Sequence, residues 1–214
     1  MRITLILLIG IMIIIVDYKV GNLGSILNML RKIGAKAEIS SDRKKIEDAA
    51  KLILPGVGSY DTGVKNLQEL ELINILNFKV LEQKVPVLGI CLGMQLLTTS
   101  SEEGIEQGFS WIKGRTKRFR FPEDSNLKVP HMGWNYVNQQ KESILFKEMY
   151  ETPKFYFVHS YYIEPVDNSD ILATTSHGIE FCSSLEKENI FGTQFHPEKS
   201  HKYGMRLLRN FANL

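Results

Sequence analysis

Apolar and polar positions in the first half of the chain form short buried runs that alternate with helical stripes. The run "MIIIVDY" is rich in β-branched residues from Ile13 to Val16, which is typical of a strand buried on both faces. In "GNLGSILNMLRKIG", apolar residues recur at helical spacing, with Asn22 as the predicted N-cap and Gly34 as the predicted stop. The pattern then predicts a strand at "AKAEIS", a polar helix at "DRKKIEDA", a strand at "KLILPG", a helical stretch over 64–84 and a strand at "VPVLGI". This β-α alternation indicates a parallel sheet covered by helices.

The second half of the chain has a different pattern, in which short strand-like runs are separated by turns. These runs are "GRTKRFRF", "WNYV", "KFYFVHSYYI", "ILATTSH", "IEFCSSLEK" and "NIFGTQF". The C-terminal segment "HKYGMRLLRNFANL" predicts an amphipathic helix with Leu207, Leu208 and Phe211 on one face. We find no internal repeat or linker in the sequence. The pattern therefore predicts one α/β domain, with a central, mostly parallel sheet flanked by helices and an additional small antiparallel strand layer.

The N-terminal segment is unusually apolar. The run "ITLILLIGIMIIIV" follows Arg2 and ends at Asp17, so it is shorter than the ~18–20 residues of a membrane span. No signal-peptidase-like small-residue motif follows it. We expect residues 1–11 to be an extension that precedes a single domain over residues 12–214, with Met12 as a natural start. A signal anchor is the alternative interpretation.

Composition and charge narrow the possible functions. The formal net charge is +2, which gives no electrostatic basis for binding nucleic acid or a membrane. The basic stretch from Lys113 to Phe121 is better interpreted as a solvated strand face than as a nucleic-acid-binding strip. The two cysteines, Cys91 and Cys182, are far apart and form no C-x-x-C pair, so we expect neither a disulfide framework nor a metal site. This cysteine usage fits a reducing cytoplasm, and no cofactor is indicated.

The segment Gly89-Ile90-Cys91-Leu92-Gly93 joins a predicted strand to a predicted helix. A nucleophile at such a sharp turn takes a strained backbone conformation, and small neighbours prevent clashes. The start of the following helix would favour the thiolate of Cys91. A buried structural cysteine with incidental glycine neighbours is the alternative.

A thiol nucleophile needs a base, and the base needs a group that orients it. In "GTQFHPEKS", His196 and Glu198 are two residues apart, and extended backbone would place both side chains on one face. Glu198 could then accept a hydrogen bond from one imidazole nitrogen while the other nitrogen faces the thiol. The remaining histidines could each be a satisfied core or surface residue; they are His131, His159, His177 and His201.

A third motif, Pro55-Gly56-Val57-Gly58, follows the third predicted strand. Glycines let backbone N–H groups approach a ligand closely, so the backbone at Val57 and the N–H of Leu92 could form an oxyanion hole. Alone, this motif is more simply an ordinary turn. Together, P-G-x-G, G-x-C-x-G and H-P-E in this order are specific.

These three motifs resemble the class I, triad-type glutamine amidotransferases over nearly all of the chain after Met12. The resemblance implies the fold of that class and hydrolysis of glutamine to glutamate and ammonia through a catalytic triad of Cys91, His196 and Glu198. It further implies an oxyanion hole at Val57 and Leu92. The residues implied to hold glutamine are Gly58, Gln95, Glu103, and the backbone at Ser160 and Tyr161.

Three further stretches, "DYKVGNL", "PHMGWN" and "HPEKS", are similar to the glutaminase subunits of imidazole glycerol phosphate synthase, an enzyme of histidine biosynthesis. This similarity implies a heterodimer with a (β/α)8-barrel cyclase that receives the ammonia. The residues implied to face the cyclase or to gate the ammonia are Asn22, Met132, Trp134 and Lys199. For "PHMGWN", a turn with a core tryptophan is the alternative interpretation.

Lys19 departs from the subfamily, which usually has glycine at this position. "HPEKSHKYGM" is also similar to subunits that supply ammonia for sugar amidation in surface-polysaccharide synthesis, which leaves a second possible acceptor. Other cysteine hydrolases, such as the gamma-glutamyl hydrolases, could use the same triad.

Overall fold

The computed structural model describes residues 12–214. The expectations for residues 1–11 lie outside the described residues. Six α-helices run over Leu23–Lys32 (α1), Arg43–Glu47 (α2), Tyr60–Glu69 (α3), Leu72–Asn77 (α4), Leu92–Leu96 (α5) and His201–Ala212 (α6). Thirteen strands run over Ile13–Val16 (β1), Ala37–Ser40 (β2), Lys51–Leu54 (β3), Val87–Ile90 (β4), Ser100–Ser101 (β5), Gly114–Arg118 (β6), His131–Tyr136 (β7), Asn138–Gln139 (β8), Lys154–His159 (β9), Tyr161–Pro165 (β10), Ile171–His177 (β11), Ile179–Lys187 (β12) and Ile190–Thr193 (β13).

Five neighbouring strands at one end of the central sheet are parallel, in the order β2-β1-β3-β4-β13, and at its other end β5 pairs in parallel with β6. β1, β3, β4 and β13 are buried along their whole length, as expected for strands covered by helices on both faces. Within β1, Ile14 packs into the core on one side of the sheet and Ile15 into the core on the other. The carboxyl ends of these parallel strands meet at one edge, where open α/β sheets bind their ligands.

Helix α1 agrees closely with the sequence pattern. The side chain of Asn22 accepts a hydrogen bond from the backbone N–H of Ser25, and Gly34 has a positive φ of 81° just after the helix. The predicted C-terminal helix is also present as α6, and its residues Leu207, Leu208 and Phe211 are fully buried.

The helical stretch expected over 64–84 is interrupted. Glu71 takes a left-handed conformation with φ 54°, which ends α3 and starts α4 at a new angle. After α4, a π-helical turn covers Phe78–Glu82. The helical prediction for this segment is therefore confirmed, and the structure divides the segment into successive helical pieces.

The antiparallel strands do not all form a separate layer. β12, β10 and β6 continue the central sheet beyond β13, and β11 and β8 are attached through β12. Among the strands of residues 12–214, only β7 and β9 form a separate sheet, which is small and antiparallel. Within residues 12–214, no helix combines the length and apolar character needed to cross a membrane.

Candidate active site

Cys91 lies between the end of β4 and the start of α5 in a strained conformation, with φ 53° and ψ −108°. The two neighbouring glycines allow this close turn. A Cβ atom on Gly89 would lie 2.7 Å from the carbonyl oxygen of Gly93, and a Cβ on Gly93 would lie 1.8 Å from the carbonyl oxygen of Leu54. The G-x-C-x-G spacing is therefore required by backbone packing around Cys91, and the sharp turn predicted from the sequence is confirmed.

Two buried amide side chains lie beside the thiol. The Nε2 group of Gln194 donates to Cys91 Sγ over 3.6 Å, and Gln194 Oε1 accepts from Gln95 Nε2 over 3.1 Å. The backbone N–H of Cys91 donates to the carbonyl of Thr193 over 2.7 Å, which attaches the turn to β13.

Cys182, by contrast, lies inside β12, and burial raises the pKa of its thiol to about 12.

His196 and Glu198 form a buried pair. His196 Nδ1 lies 2.8 Å from Glu198 Oε1, and the two side chains are only 2% and 3% exposed. The backbone differs from the expected extended form, because Pro197–Lys199 forms a 3-10 turn that starts directly after His196. Proline fits the first position of such a turn, since it needs no backbone N–H there. The hydroxyl of Ser200 donates to the carbonyl of His196 over 2.6 Å and stabilises the turn.

The electrostatics of His196 favour its protonated form. Burial alone would lower the pKa of this imidazole, but the Cys91 thiol and the Glu198 carboxylate raise the pKa to about 10. Nε2 of His196 makes no hydrogen bond of ordinary geometry to a described residue, although the thiol lies near enough to affect its pKa. Catalytic hydrogen bonds of this kind commonly tighten when substrate binds.

The Pro55–Gly58 turn lies directly over the start of α5. A Cβ atom on Gly56 would lie 2.7 Å from the Leu92 Cβ, so only glycine permits this approach. The carbonyl of Gly56 accepts a hydrogen bond from the backbone N–H of Leu92 over 3.4 Å. The hydroxyl of Tyr18, which follows β1, donates to the carbonyl of Pro55. One of the two expected oxyanion donors is therefore engaged within the protein in this arrangement.

A cleft of about 310 Å³ opens beside Cys91. Its lining includes all of the residues that the sequence analysis assigned to glutamine and to the oxyanion hole; they are Val57, Gly58, Leu92, Gln95, Glu103, Ser160 and Tyr161. The Glu103 carboxylate accepts from the backbone N–H of Tyr60 over 2.9 Å, and burial raises its pKa above the usual range. Residues distant in the sequence thus surround one cavity that has the thiol on its wall.

A larger surface cleft of about 550 Å³ lies between α2, α3, α4 and residues 107–109. It contains the exposed ion pair between Arg43 and Glu71 but no cysteine or histidine. The chemistry therefore points to the smaller cleft. Among residues 12–214, no group of three or more histidine, cysteine, aspartate or glutamate side chains is arranged to hold a metal ion.

Three of the four residues implied to face a partner lie near one another. Met132 and Trp134 point outward from β7 and are 62% and 45% exposed. Lys199 is exposed on the turn after His196, and its ammonium lies 5.7 Å from the ring centroid of Tyr156, which also contacts Trp134. Asn22 is exposed and caps α1, which packs against the same turn.

Sequence reasoning missed several residues of this site. Gln194 could have been found, because it precedes His196 by two residues and belongs to the same strand end. Pro130 and His159 also line the cleft, and buried Tyr18 supports the neighbouring turn through Pro55, but the sequence pattern assigned none of the three to the glutamine site.

Comparisons with known proteins agree with this site. The family model described as "Glutamine amidotransferase class-I" matches residues 14–214. A solved glutamine amidotransferase is similar with a TM-score of 0.74 at 17% identity, covering 94% of this chain and 99% of that one. PurLQS from Thermotoga maritima is similar with a TM-score of 0.71 at 17% identity, covering 94% of this chain and 97% of that one. The chain therefore belongs to the class I glutamine amidotransferases and is an enzyme of that class.

More similar relatives define the family within this class. "Imidazole glycerol phosphate synthase subunit HisH 2" of Methanococcus maripaludis is 54% identical over 94% of this chain and 98% of the relative. The protein of the same name from Pseudomonas aeruginosa is 49% identical over 95% of this chain and 100% of the relative. "Imidazole glycerol phosphate synthase subunit HisH" of Leptospira borgpetersenii is 45% identical over 95% of this chain and 100% of the relative. Within the class, the chain belongs to the HisH family of imidazole glycerol phosphate synthase subunits.

Proposed function

We propose that this chain is the glutaminase subunit of an imidazole glycerol phosphate synthase in histidine biosynthesis. It hydrolyses glutamine to glutamate and ammonia and passes the ammonia to a (β/α)8-barrel cyclase subunit. The observation that supports this most strongly is the buried His196–Glu198 pair beside a strained cysteine at the wall of a small cleft. Family membership points to the same reaction.

Cys91 is the proposed nucleophile. The raised pKa of His196 favours an imidazolium beside Cys91, and a neighbouring cation of this kind activates a cysteine for attack. The thiolate attacks the side-chain carbonyl carbon of glutamine, and a tetrahedral intermediate forms. His196 then gives its Nε2 proton to the departing nitrogen, so that ammonia leaves and a glutamyl thioester remains.

Hydrolysis of the thioester reverses the role of His196. The neutral imidazole takes a proton from water, which attacks the thioester carbonyl and releases glutamate and Cys91. Glu198 holds Nδ1 through the 2.8 Å hydrogen bond and stabilises the imidazolium each time it forms. Gly58, Gln95, Glu103, Ser160 and Tyr161 are the proposed glutamine-binding groups.

The oxyanion hole is proposed to be incomplete in the arrangement described above. The N–H of Leu92 can bind an oxyanion only when the Gly56 carbonyl releases it, and a rotated Gly56–Val57 peptide would at the same time direct a second N–H toward the cleft. A partner that favours the rotated peptide would switch on glutamine hydrolysis. Such control prevents release of ammonia into water, where most of it is protonated and no longer nucleophilic.

Glutamate formation by the isolated chain and by its mixture with the cyclase subunit tests this function. We expect slow hydrolysis by the chain alone and faster hydrolysis once the cyclase and its phosphoribulosyl aminoimidazole ligand are added. Trp134→Ala should weaken the stimulation and leave the basal rate unchanged, whereas Val166→Ala, at an apolar position that is 81% exposed outside β7, should do neither. Absence of glutamate in every mixture would contradict the proposal.

The acceptor of the ammonia has a second candidate. The segment "HPEKSHKYGM" is similar to subunits of sugar-amidating systems, and two of the relatives above carry the number 2 in their printed names. A second subunit could supply ammonia to a sugar-amidating enzyme of surface-polysaccharide synthesis. Stimulation by a sugar-amidating partner, with no binding to the histidine-pathway cyclase, would favour that alternative.

A further inference from the structure

Two buried histidines that the proposed mechanism does not use connect β7 to the glutamine cleft. His131 and His159 stand directly opposite each other in the β7–β9 pair, and both are about 5% exposed or less. His131 Nδ1 lies 3.0 Å from His159 Nε2, and His159 Nδ1 lies 2.6 Å from the carbonyl oxygen of Tyr161. At the other end, Asn135 Nδ2 lies 3.1 Å from His131 Nε2. These contacts form a continuous hydrogen-bonded chain.

The position of every proton in this chain follows from its two ends. The Tyr161 carbonyl can only accept, so His159 must donate from Nδ1 and, when neutral, accept at Nε2. His131 must then donate from Nδ1 and accept at Nε2 from the amide of Asn135. The second amide hydrogen of Asn135 is donated to the carbonyl of Ser176 over 2.9 Å, which leaves no ambiguity in the amide orientation.

Both imidazoles are held in the neutral form that this arrangement needs. Burial lowers the pKa of His159 to about 3, although its hydrogen bond to Tyr161 opposes this. Burial and the neighbouring His177 lower the pKa of His131 to about 4. Three phenylalanines pack against the pair, and they are Phe119, Phe157 and Phe181. Phenylalanine side chains would fill so apolar a site without the cost of burying polar ring nitrogens. The two imidazoles therefore indicate that the hydrogen bonds of these nitrogens have a role.

One end of this chain of hydrogen bonds lies at the proposed glutamine cleft, and the other end lies on β7. The carbonyl of Tyr161 also accepts from Gln95, over 3.4 Å, and residues 158–161 line the cleft beside Cys91. On β7, side chains alternate, so Asn135 and His131 point inward while Met132 and Trp134 point outward and are exposed. A protein docked on these outward side chains would contact the same strand that carries the chain of hydrogen bonds.

We propose that His131 and His159 are positioning residues, which hold the Ser160–Tyr161 backbone in its glutamine-binding position and link that position to β7. This inference rests on the proposed function, because it takes the cleft to be the glutamine site. Glutamine binding and docking on β7 then strengthen each other, since a contact that orders one end of the chain also orders the other.

The hydrogen-bond chain itself can be tested without any assay of activity. In the full chain with ¹⁵N-labelled histidine, NMR correlations between ring nitrogens and ring carbon-bound protons distinguish the two neutral tautomers and the imidazolium. We expect neutral Nδ1–H tautomers for both His131 and His159 at pH 6. A Nε2–H tautomer or an imidazolium at either residue would overturn the proposal.

The link to glutamine is tested by three variants in the complex with the cyclase. His131→Phe removes the donor to His159, and we expect KM for glutamine to rise about tenfold while kcat changes much less. His131→Asn keeps an N–H close to the position of Nδ1 and should recover most of the loss. His177→Phe is the matched control, because His177 stacks on His131 at a centroid distance of 4.3 Å but donates to or accepts from neither member of the chain.

The outcomes separate this inference from the proposed function. An unchanged KM in His131→Phe, or an equal rise in His177→Phe, would contradict a positioning role. Glutamine hydrolysis that is absent even from the unaltered complex would contradict the proposed function instead, and the NMR experiment would still decide whether the chain exists. If His131→Phe does not fold, the tautomers of the two histidines in the unaltered chain carry the test.

Discussion

The strained backbone at Cys91 can be measured as a difference in stability between two substitutions. Cys91→Ala and Cys91→Gly both remove the thiol, but only glycine relieves the positive φ of 53°. Cys182 provides a matched control, since it is a buried cysteine inside a strand and does not have a positive φ. Each pair of variants therefore compares alanine with glycine at the same site.

The expected magnitude follows from three contributions. In a regular element, glycine costs about 0.5–1 kcal/mol relative to alanine through backbone entropy, and loss of one buried methyl group costs about 0.8 kcal/mol. Cys182→Gly should therefore be about 1.5 kcal/mol less stable than Cys182→Ala. At Cys91 the relief of strain offsets this cost by about 1–3 kcal/mol, so Cys91→Gly should be about as stable as Cys91→Ala or more stable.

Urea unfolding followed by circular dichroism measures all four free energies of unfolding. At each site, the free energy of unfolding of the glycine variant is subtracted from that of the alanine variant. The value at Cys182 minus the value at Cys91 equals the strain energy at Cys91. We expect a value of about 1–3 kcal/mol. Equal differences at the two sites would show that the turn at Cys91 is unstrained and would refute the reasoning.

Three further predictions concern the triad, the β1–α1 loop and the buried histidines. His196→Ala should reduce glutaminase turnover as much as loss of the thiol, whereas Glu198→Gln should reduce it less, because Glu198 only orients and stabilises the imidazole; steady-state kinetics that reverse this order would show the roles to be wrong. Lys19 has φ 65°, so Lys19→Gly should raise the free energy of unfolding by about 1 kcal/mol, and an unchanged thermal midpoint would count against strain there. The pKa values of His131 and His159 are lower in the folded protein than the ordinary histidine value of about 6.5 in the unfolded chain. Below pH 6.5 the unfolded state therefore binds more protons than the folded state. The free energy of unfolding should fall by about 1.4 kcal/mol per pH unit for each histidine as the pH decreases toward 4. Urea unfolding between pH 6.5 and 4.5 should give a shallower decline for His131→Phe than for the unaltered protein, and identical slopes would contradict the assignment.

Much of the fold could be predicted because its signals are local. The apolar run from Ile13 to Val16 is buried on both faces of the sheet, and Asn22 caps the helix that its spacing predicts. The three motifs of the site follow the ends of β3, β4 and β13, which are neighbours in the sheet. Parallel strands with crossover helices place such ends at one edge, so order along the chain was sufficient to bring the motifs together.

Other features depend on contacts between distant residues and gave no local signal. Glu71 divides the predicted helical segment by taking a left-handed conformation, which is sterically unfavourable for any residue with a Cβ atom. The H-P-E segment forms a 3-10 turn in place of extended backbone, and that turn is supported by Ser200 and by β9 through Tyr156. The pairing of His131 with His159 depends on the register between two strands, which the sequence alone did not provide.

The departure at Lys19 has a clear structural meaning. Lysine stands where the subfamily usually has glycine, and the backbone there is left-handed, with φ 65°. The backbone N–H of Lys19 donates to the Asp17 carboxylate over 3.0 Å, which compensates in part for the strain. The loop therefore has the left-handed conformation that glycine would adopt without steric strain, although lysine occupies the position.

Labelling with a glutamine analogue tests most directly the central claim that Cys91 attacks glutamine in the cleft. The diazo-ketone 6-diazo-5-oxo-norleucine fits a glutamine site and alkylates a nucleophile held against its reactive carbon. Incubation with the chain and its cyclase partner, followed by peptide mapping, should give one modified residue, Cys91, and glutamine should protect it. Labelling of Cys182, or of Cys91 at a rate that glutamine does not affect, would contradict the account.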